Sequence, residues 1–327
     1  MPETFRDGGM LRLVALGGGT GLPVVLAGLA SARAPGGRPI QVSAVVTTAD
    51  DGGSSGELRR RYDVPSPGDI RNCLVALSPG AQPLAGVFQH RFQGDGGLTG
   101  HTVGNLVLTA LAQELGDFSA AVAAAAQMLR ARGRVAPAHE GTAELEAQLA
   151  DGRVVRGESA IAAARGKVTR LRLARPVPAS RAALDAVAAA DLVVFGPGSL
   201  YSSVIASLLG GGMAEALGAS GALRVMVVNL FTQAGETDGY DAADHVRAVI
   251  GHAGPVVDLA LVHEGPLPPP LVERYAAEGA RPVAFDRDAL NDLGVGVLTA
   301  DLLAPGELAR HDSRKLAQVL LDLSRAC

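Results

Sequence analysis

A cluster of acidic and small polar residues follows an apolar run near the start of the chain. It contains Asp50 and Asp51 and, shortly after them, Gly53, Ser54 and Ser55. Paired carboxylates at such a place can hold a hard cation such as Mg²⁺, accept a ribose hydroxyl or act as a general base. An Asx turn that caps the next helix is the simpler alternative. The cluster is longer than a turn requires, so we expect these side chains to bind a ligand, with Asp50 and Asp51 as the candidate metal ligands.

A second polar cluster opens the helical pattern that comes next. Asp69, Arg71 and Asn72 lie in its first turn. The planar guanidinium of an arginine can bind an anion, and an asparagine amide supplies both a donor and an acceptor. Arg71 could instead lie on a solvated helix face or pair with Asp69. Because apolar residues flank the cluster, we predict that it contributes to the same binding site.

Two glycine-rich loops each follow an apolar run and precede a helical pattern. The first consists of Gly17, Gly18, Gly19, Thr20 and Gly21, and the second contains Gly196, Gly198 and Ser199. Glycines let backbone amides approach a phosphate, and a helix start adds free N–H groups, although a tight turn with positive φ is the alternative. The first loop is neither a dinucleotide fingerprint, which needs a small residue at Leu22, nor a P-loop, which needs a lysine. We therefore predict an anion site of another kind.

Polar residues also occupy two later loops. His101 precedes an apolar helical pattern in which Asn105 lies one turn on. A lone histidine near a helix start often caps or packs, so a structural role and a role in the pocket both stay open. Asn229, Gln233 and Glu236 follow a further apolar run, in a loop on which a ring or a sugar could be recognised.

The elements that must position these residues are read from the apolar pattern. Short, continuous apolar runs alternate with helical segments; the runs are Leu11 to Leu16, Val42 to Val46, Asp191 to Phe195, Leu223 to Asn229 and Val256 to Val262. Such runs are typical of a parallel sheet that is buried on both faces. We predict an α/β, Rossmann-like, mainly parallel sheet with helices on both faces. Ligands of such sheets bind beyond the carboxyl ends of the strands, where the polar loops lie.

The domain organisation follows from changes along the chain. Residues 1–10 are polar and are expected to be a flexible extension, and 11–327 a single Rossmann-like domain. From about 134 to 175 the pattern changes to short alternating runs with an Asp151-Gly152 turn signal, which indicates an antiparallel insertion. The alanine-rich stretch Phe118 to Leu129 is expected to be helical.

The composition excludes several classes of protein. The 327 residues carry 29 basic and 33 acidic side chains, a net charge of −4, and only 3% are aromatic, with no Trp. The chain therefore has neither the basic footprint nor the stacking rings expected of a nucleic-acid-binding protein. Its two cysteines, Cys73 and Cys327, imply no disulfide framework, and Cys73 is expected in the core. No apolar run reaches 18 residues, so we expect no membrane span and a cytoplasmic location.

Five motifs together carry a family resemblance: "GGGTGL", "TADDGGSSGELRRRYDVPSPGDIRNCLVAL", "GHTVGNL", "GPGSLYSSVIASLL" and "NLFTQAGETDGY". In this order the chain resembles the gluconeogenesis factor family, a bacterial branch of the 2-phospho-L-lactate transferase-like superfamily. The resemblance covers Leu11 to about Leu323. It implies a Rossmann-like cytoplasmic protein that regulates carbon metabolism and cell shape and binds a nucleotide sugar, UDP-N-acetylglucosamine, without an established reaction.

The resemblance also implies roles for three residues near the carboxyl terminus. Tyr275 and Arg310 match positions associated with the nucleotide sugar, and Ser313 stands where relatives carry a phosphorylatable threonine. Tyr275 could stack on uracil and Arg310 could pair with the diphosphate, although both could be ordinary surface residues.

Two enzymatic alternatives remain. The transferase branch of the superfamily implies transfer of a phospholactyl-type group from a nucleotide diphosphate with Mg²⁺, held here by Asp50 and Asp51. An NAD-binding oxidoreductase fits less well, because the fingerprint fails at Leu22. No bound cofactor other than the nucleotide and Mg²⁺ is implied. A homo-oligomer is compatible with the sequence, and the protein partner and the presence of turnover stay open.

Overall fold

A seven-stranded sheet forms the centre of the protein. The computed structural model describes residues 9–80 and 83–326. The strands of the large sheet are β1 (Leu11–Gly17), β2 (Ile40–Val46), β3 (Arg134–Pro137), β7 (Leu192–Phe195), β8 (Leu223–Val227), β9 (Leu259–His263) and β10 (Gly296–Ala300). Their spatial order is β10-β9-β8-β7-β1-β2-β3, and every neighbouring pair is parallel. The predicted mainly parallel α/β fold is confirmed.

A second, three-stranded sheet lies between β3 and β7 in the chain. Its strands are β4 (Leu145–Leu149), β5 (Val154–Arg156) and β6 (Val168–Leu173), in the antiparallel order β5-β4-β6.

The helices are α1 (Gly21–Ser31), α2 (Gly53–Tyr62), α3 (Gly68–Leu77), α4 (Pro83–Gln89), α5 (Val103–Leu115), α6 (Phe118–Met128), α7 (Glu158–Ala164), α8 (Arg181–Ala188), α9 (Met213–Ala219), α10 (Ala242–Ala253), α11 (Pro269–Ala277), α12 (Arg287–Asn291) and α13 (Ser313–Ala326). The predicted helix from Phe118 is confirmed as α6. Asp241 caps the start of α10 and forms a capping box with Asp244.

Both faces of the large sheet are covered. Leu13 of β1 packs in a core with α1, α3 and α13, whereas its neighbour Val14 packs in another with α9 and α10. Successive side chains of a strand point to opposite faces, so a strand buried on both sides needs a continuous apolar run. Cys73 is fully buried in the first of these cores, as expected.

The predicted antiparallel insertion, about 134–175, begins later than expected. Arg134–Pro137 pairs in parallel with Ser43–Val46 and so forms the edge strand of the large sheet. A four-residue strand is too short for its pattern to tell parallel from antiparallel pairing, and only the register with β2 decides it. Of the predicted extension, 1–10, residues 1–8 lie outside the described part of the chain. Among the described helices, none is long and apolar enough to cross a membrane.

Candidate functional site

A cavity of about 320 Å³ lies at the carboxyl edge of the large sheet. It is enclosed by the first glycine loop, the Gly196–Ser199 loop, the segment that follows β8, α11 and the segment before α13. The predicted site residues that line it are Thr20, Gly21, Gly198, Ser199, Asn229, Gln233, Tyr275 and Arg310. Residues that lie up to 290 positions apart in the chain therefore share one cavity, because the carboxyl ends of parallel strands meet at one edge.

The two glycine loops pack directly on each other. A Cβ atom on Gly21 would lie 2.2 Å from the carbonyl oxygen of Pro197, so only glycine permits this approach. Asn229 fixes the second loop, because its amide accepts from the Gly198 N–H (3.1 Å) and donates to the Gly198 carbonyl (2.7 Å). Asn229, which was predicted to bind the ligand, lines the cavity, but its side-chain amide is bonded to Gly198 and positions the loop.

Asp69 lies beneath the first glycine loop. Its Oδ2 accepts from the Gly19 N–H at 2.6 Å, and a Cβ on Gly18 would lie 2.6 Å from the same oxygen. Burial raises the pKa of Asp69 to about 6, opposed by the Gly19 hydrogen bond and reinforced by the charge of Asp50. The Gly19 amide is therefore already bound to a protein carboxyl, and the Gly198 amide to Asn229, which leaves the start of α1, where no side chain caps the helix, to face a ligand.

Glu236 organises the helical turn that begins at Leu200. Its Oε1 accepts from the Ser199 hydroxyl (2.5 Å) and from the Tyr201 N–H (2.8 Å). Burial raises the pKa of Glu236, against the effect of these hydrogen bonds. Glu236, which was predicted to contact the ligand, therefore holds Ser199 in place, and Ser199 is the member of the pair that lines the 320 Å³ cavity.

An aromatic pair and an arginine form the far wall of the cavity. The rings of Phe231 and Tyr275 lie 4.5 Å apart at an angle of 36°, and the Tyr275 hydroxyl accepts from the Ala309 N–H (3.1 Å). This bond orients the segment that carries Arg310. The Arg310 side chain is exposed, and it makes no ion pair with the described residues. It is therefore available to an anionic ligand.

A second cavity, of about 660 Å³, adjoins the first. The two share Thr20, Val24, Arg310 and His311 in their linings. The second is also lined by Asn72 and Gln89 and by Ser313, the first residue of α13. Burial lowers the pKa of His311 to about 4, so this ring is neutral and adds no charge to the wall.

The two adjacent carboxylates Asp50 and Asp51 do not converge on one point. Asp51 Oδ1 accepts from the N–H (2.9 Å) and the hydroxyl (2.6 Å) of Ser159, and so anchors the start of α7. Asp50 instead accepts from the Gly52 N–H and acts electrostatically on Asp69. No group of three or more metal-ligating side chains is arranged to hold an ion within 9–80 and 83–326.

Glu158, which the sequence did not single out, completes this acidic region. Burial raises its pKa to about 8, with a further contribution from Asp50 and an opposing hydrogen bond from Ser202. It comes from the insertion, where "GES" between a short strand and a helix carries no known motif. The burial of Glu158 beside Asp50 depends on how the insertion packs against the rest of the protein, so the sequence could not predict it.

The remaining predicted residues form a polar network between α2, α3 and α5. Arg71 donates to Thr102 (2.5 Å), to Asn105 (2.8 Å) and to Asn72 (2.7 Å). Ser54 links Asn105 (3.1 Å) to Nδ1 of His101 (2.9 Å). Burial lowers the pKa of Arg71, and the charge of Arg91 adds to this effect.

Of these residues, which were predicted to bind a ligand, Asn72 lines the second cavity, whereas the side chains of Arg71 and Ser54 bond to residues of neighbouring segments. Ser55 packs against Gly68, where a Cβ would lie 2.3 Å from its hydroxyl. Gly53 opens α2 with a φ of 45°. Gly17 and Gly196 adopt positive φ at the ends of their strands, as the turn alternative requires.

The parallel sheet, the two glycine loops at its carboxyl edge and the adjoining cavities define a Rossmann-like α/β protein with a candidate site at that edge. The model of the family described as 2-phospho-L-lactate transferase CofD matches residues 13–303, and the chain belongs to this family.

The similar proteins give a finer relationship. The chain is 42% identical to the gluconeogenesis factor of Halalkalibacterium halodurans over 95% of each chain, and 41% identical to that of Bacillus subtilis over 95% of this chain and 98% of the relative. An X-ray structure of a Bacillus halodurans protein superposes with a TM-score of 0.91 at 42% identity, over 95% of this chain and 99% of that one. The resemblance stated from the motifs is confirmed.

Proposed function

We propose that the protein binds a nucleotide sugar, UDP-N-acetylglucosamine, in the 320 Å³ cavity. The observation that carries the proposal is the exposed guanidinium of Arg310, without an ion pair among the described residues, beside the Phe231–Tyr275 ring pair. A base needs an apolar planar partner, and a diphosphate needs a cation that can form paired hydrogen bonds. Both lie in one cavity here.

Polar groups around the cavity suit the other parts of this ligand. The start of α1 at Gly21 offers free N–H groups and the positive end of its dipole to a phosphate. Gln233 can donate to and accept from a uracil ring or a sugar hydroxyl. We place the diphosphate between the start of α1 and Arg310, and the sugar toward the second cavity.

Calorimetric titration tests the binding. UDP-N-acetylglucosamine and UDP are titrated into the wild type, Arg310→Ala and the control Arg247→Ala, with and without Mg²⁺. Arg247 is a partly exposed arginine that pairs with Asp244 on α10, away from the cavity. Loss of charge-assisted hydrogen bonds of about 2–3 kcal/mol predicts an affinity that is about 30- to 150-fold weaker for Arg310→Ala. Equal affinities in the three proteins, or no saturable binding, would overturn the proposal.

We further propose that ligand occupancy regulates carbon metabolism and cell shape. Ser313 lines the second cavity beside Arg314 and shares its wall with Arg310. A phosphate on Ser313 would add nearly two negative charges there and compete for the arginine. In a bacterium that lacks its own protein, we expect Arg310→Ala to fail to restore growth and shape on a gluconeogenic carbon source; full rescue by this variant would separate regulation from binding.

A transferase of phosphorus-containing groups is the second candidate, favoured by the family model and by the electrostatic interaction of Asp50 with Asp69. Mg²⁺ is commonly held by one or two carboxylates together with substrate phosphates, and so needs no cluster of three protein ligands. Asp50 and Asp69 would hold it, and it would neutralise charge on a transferred group. Mass spectrometry would measure whether the protein consumes the nucleotide sugar in the presence of Mg²⁺. Consumption by the wild type that is lost in Asp50→Asn would favour this candidate.

A further inference from the structure

A third cavity, of about 260 Å³, lies at the opposite edge of the large sheet. It is lined by the last turn of α1, by the loop that leads into β2 and by Arg132, which precedes β3. Three arginines share this lining: Arg33, Arg38 and Arg132. Helix α1 has 11 residues and is therefore about 16 Å long, and its first turn lines the nucleotide cavity while its last turn lines this one. The two sites are distinct.

The chain segments that line this cavity carry no acidic residue. Neither 8–49 nor 118–139 contains an aspartate or a glutamate, whereas together they contain six arginines, in a chain whose net charge is −4. The side chains of Arg33 and Arg132 are exposed, and neither forms an ion pair with another described residue. Arg33 and Arg132 therefore present two guanidinium groups at this end of the protein that no ion pair with a described carboxylate neutralises.

The backbone holds the arginines in place. The Arg132 N–H donates to the Leu77 carbonyl at 2.7 Å, and a Cβ on the next residue, Gly133, would lie 2.8 Å from the Val42 carbonyl oxygen. Nε of Arg38 donates to the Gly9 carbonyl at 2.9 Å. Positions fixed by the fold lower the entropic cost of binding a ligand between them.

The carboxyl end of α1 does not balance this charge. A helix end carries about half of a negative charge, whereas the guanidinium groups of Arg33 and Arg132 carry two positive charges, so the sum of these groups is about +1.5. An anion with about two charges would match it, and a concave cavity of this size suits a small molecule rather than a protein surface.

We propose that this cavity, between the end of α1, the loop before β2 and Arg132, binds a small, multiply charged anion such as a phosphorylated or polycarboxylate metabolite. The guanidinium groups of Arg33 and Arg132 bind its oxygens with charge-assisted hydrogen bonds. This site is independent of the nucleotide cavity.

Calorimetry with sodium pyrophosphate and with citrate tests the proposal at low ionic strength. All proteins carry Arg310→Ala, so that pyrophosphate does not report the nucleotide cavity. The test variant adds Arg33→Gln and Arg132→Gln. The control instead adds Arg181→Gln and Arg247→Gln. Arg181 pairs with Asp185 within α8, and Arg247 pairs with Asp244 within α10. Circular dichroism confirms that each variant is folded.

We expect saturable binding of at least one probe at one site per chain, weakened about tenfold in the test variant and unchanged in the control. Tighter binding of pyrophosphate supports a phosphoryl ligand, and tighter binding of citrate supports a polycarboxylate. The absence of saturable binding for both probes, or equal weakening in the two variants, would overturn the proposal, since equal weakening reports only the loss of net positive charge.

Discussion

Glu158 should make the stability of the protein fall as the pH rises. The pKa of this carboxyl is about 8 in the folded protein against 4.5 as its ordinary value, chiefly because burial removes water from the charged form. The folded state therefore holds a proton between these values that the unfolded state has lost. The stability that comes from keeping Glu158 protonated is fully present below pH 4.5. It is lost as the pH rises through 8, at up to about 1.4 kcal/mol per pH unit.

The size of the effect follows from the shift. A difference of about 3.5 pKa units corresponds to at most about 5 kcal/mol. Because Glu158 is partly hydrated and interacts with Asp50 and Asp69, we expect about half of this, ~2–3 kcal/mol. Glu158→Gln removes the titration and keeps a group that can bond to Ser202. The variant should match the wild type near pH 5 and exceed its free energy of unfolding by ~2–3 kcal/mol near pH 8.5.

Urea denaturation of the unliganded protein at intervals from pH 5 to 9 measures this difference. Glu114→Gln, an exposed position on α5, is the matched control and should differ from the wild type by a constant amount. A difference between Glu158→Gln and the wild type that does not change with pH would refute the argument, because Glu158 would then be charged in the folded protein at all these pH values.

Three further substitutions test the positioning of the site. Gly21→Ala places a Cβ 2.2 Å from the Pro197 carbonyl and should cost about 1–3 kcal/mol in thermal unfolding, whereas Gly86→Ala, which meets no atom within 4 Å, should not. Asp51→Ala removes both bonds to Ser159 and should raise hydrogen exchange in α7 with a loss of about 1–2 kcal/mol; unchanged exchange would show that Asp51 is not an anchor. Asn229→Ala removes both bonds to Gly198 and should weaken nucleotide-sugar binding, measured by calorimetry, about tenfold. An affinity equal to that of the wild type would show that other contacts hold the Gly198 loop.

Much of the fold could be predicted from the sequence, because local patterns are sufficient for it. The continuous apolar run of β1 and the helical spacing of α1 after the glycine loop predicted a strand and a helix that the structure confirms. The position of β3 could not be predicted, since four residues fit either sheet until their register with β2 is known. The small sheet itself was predicted, with its first boundary placed too early.

The sequence by itself determined the family, the alternation of strands and helices and the presence of glycine loops at strand ends, because each of these is a property of neighbouring residues. Only the tertiary structure decided which polar groups share a cavity. Asp51 bonds to Ser159, 108 positions away, and Glu158 reaches the acidic region from the insertion. A polar side chain acts through the groups that surround it after packing, and those partners are set by long-range contacts that no local pattern encodes.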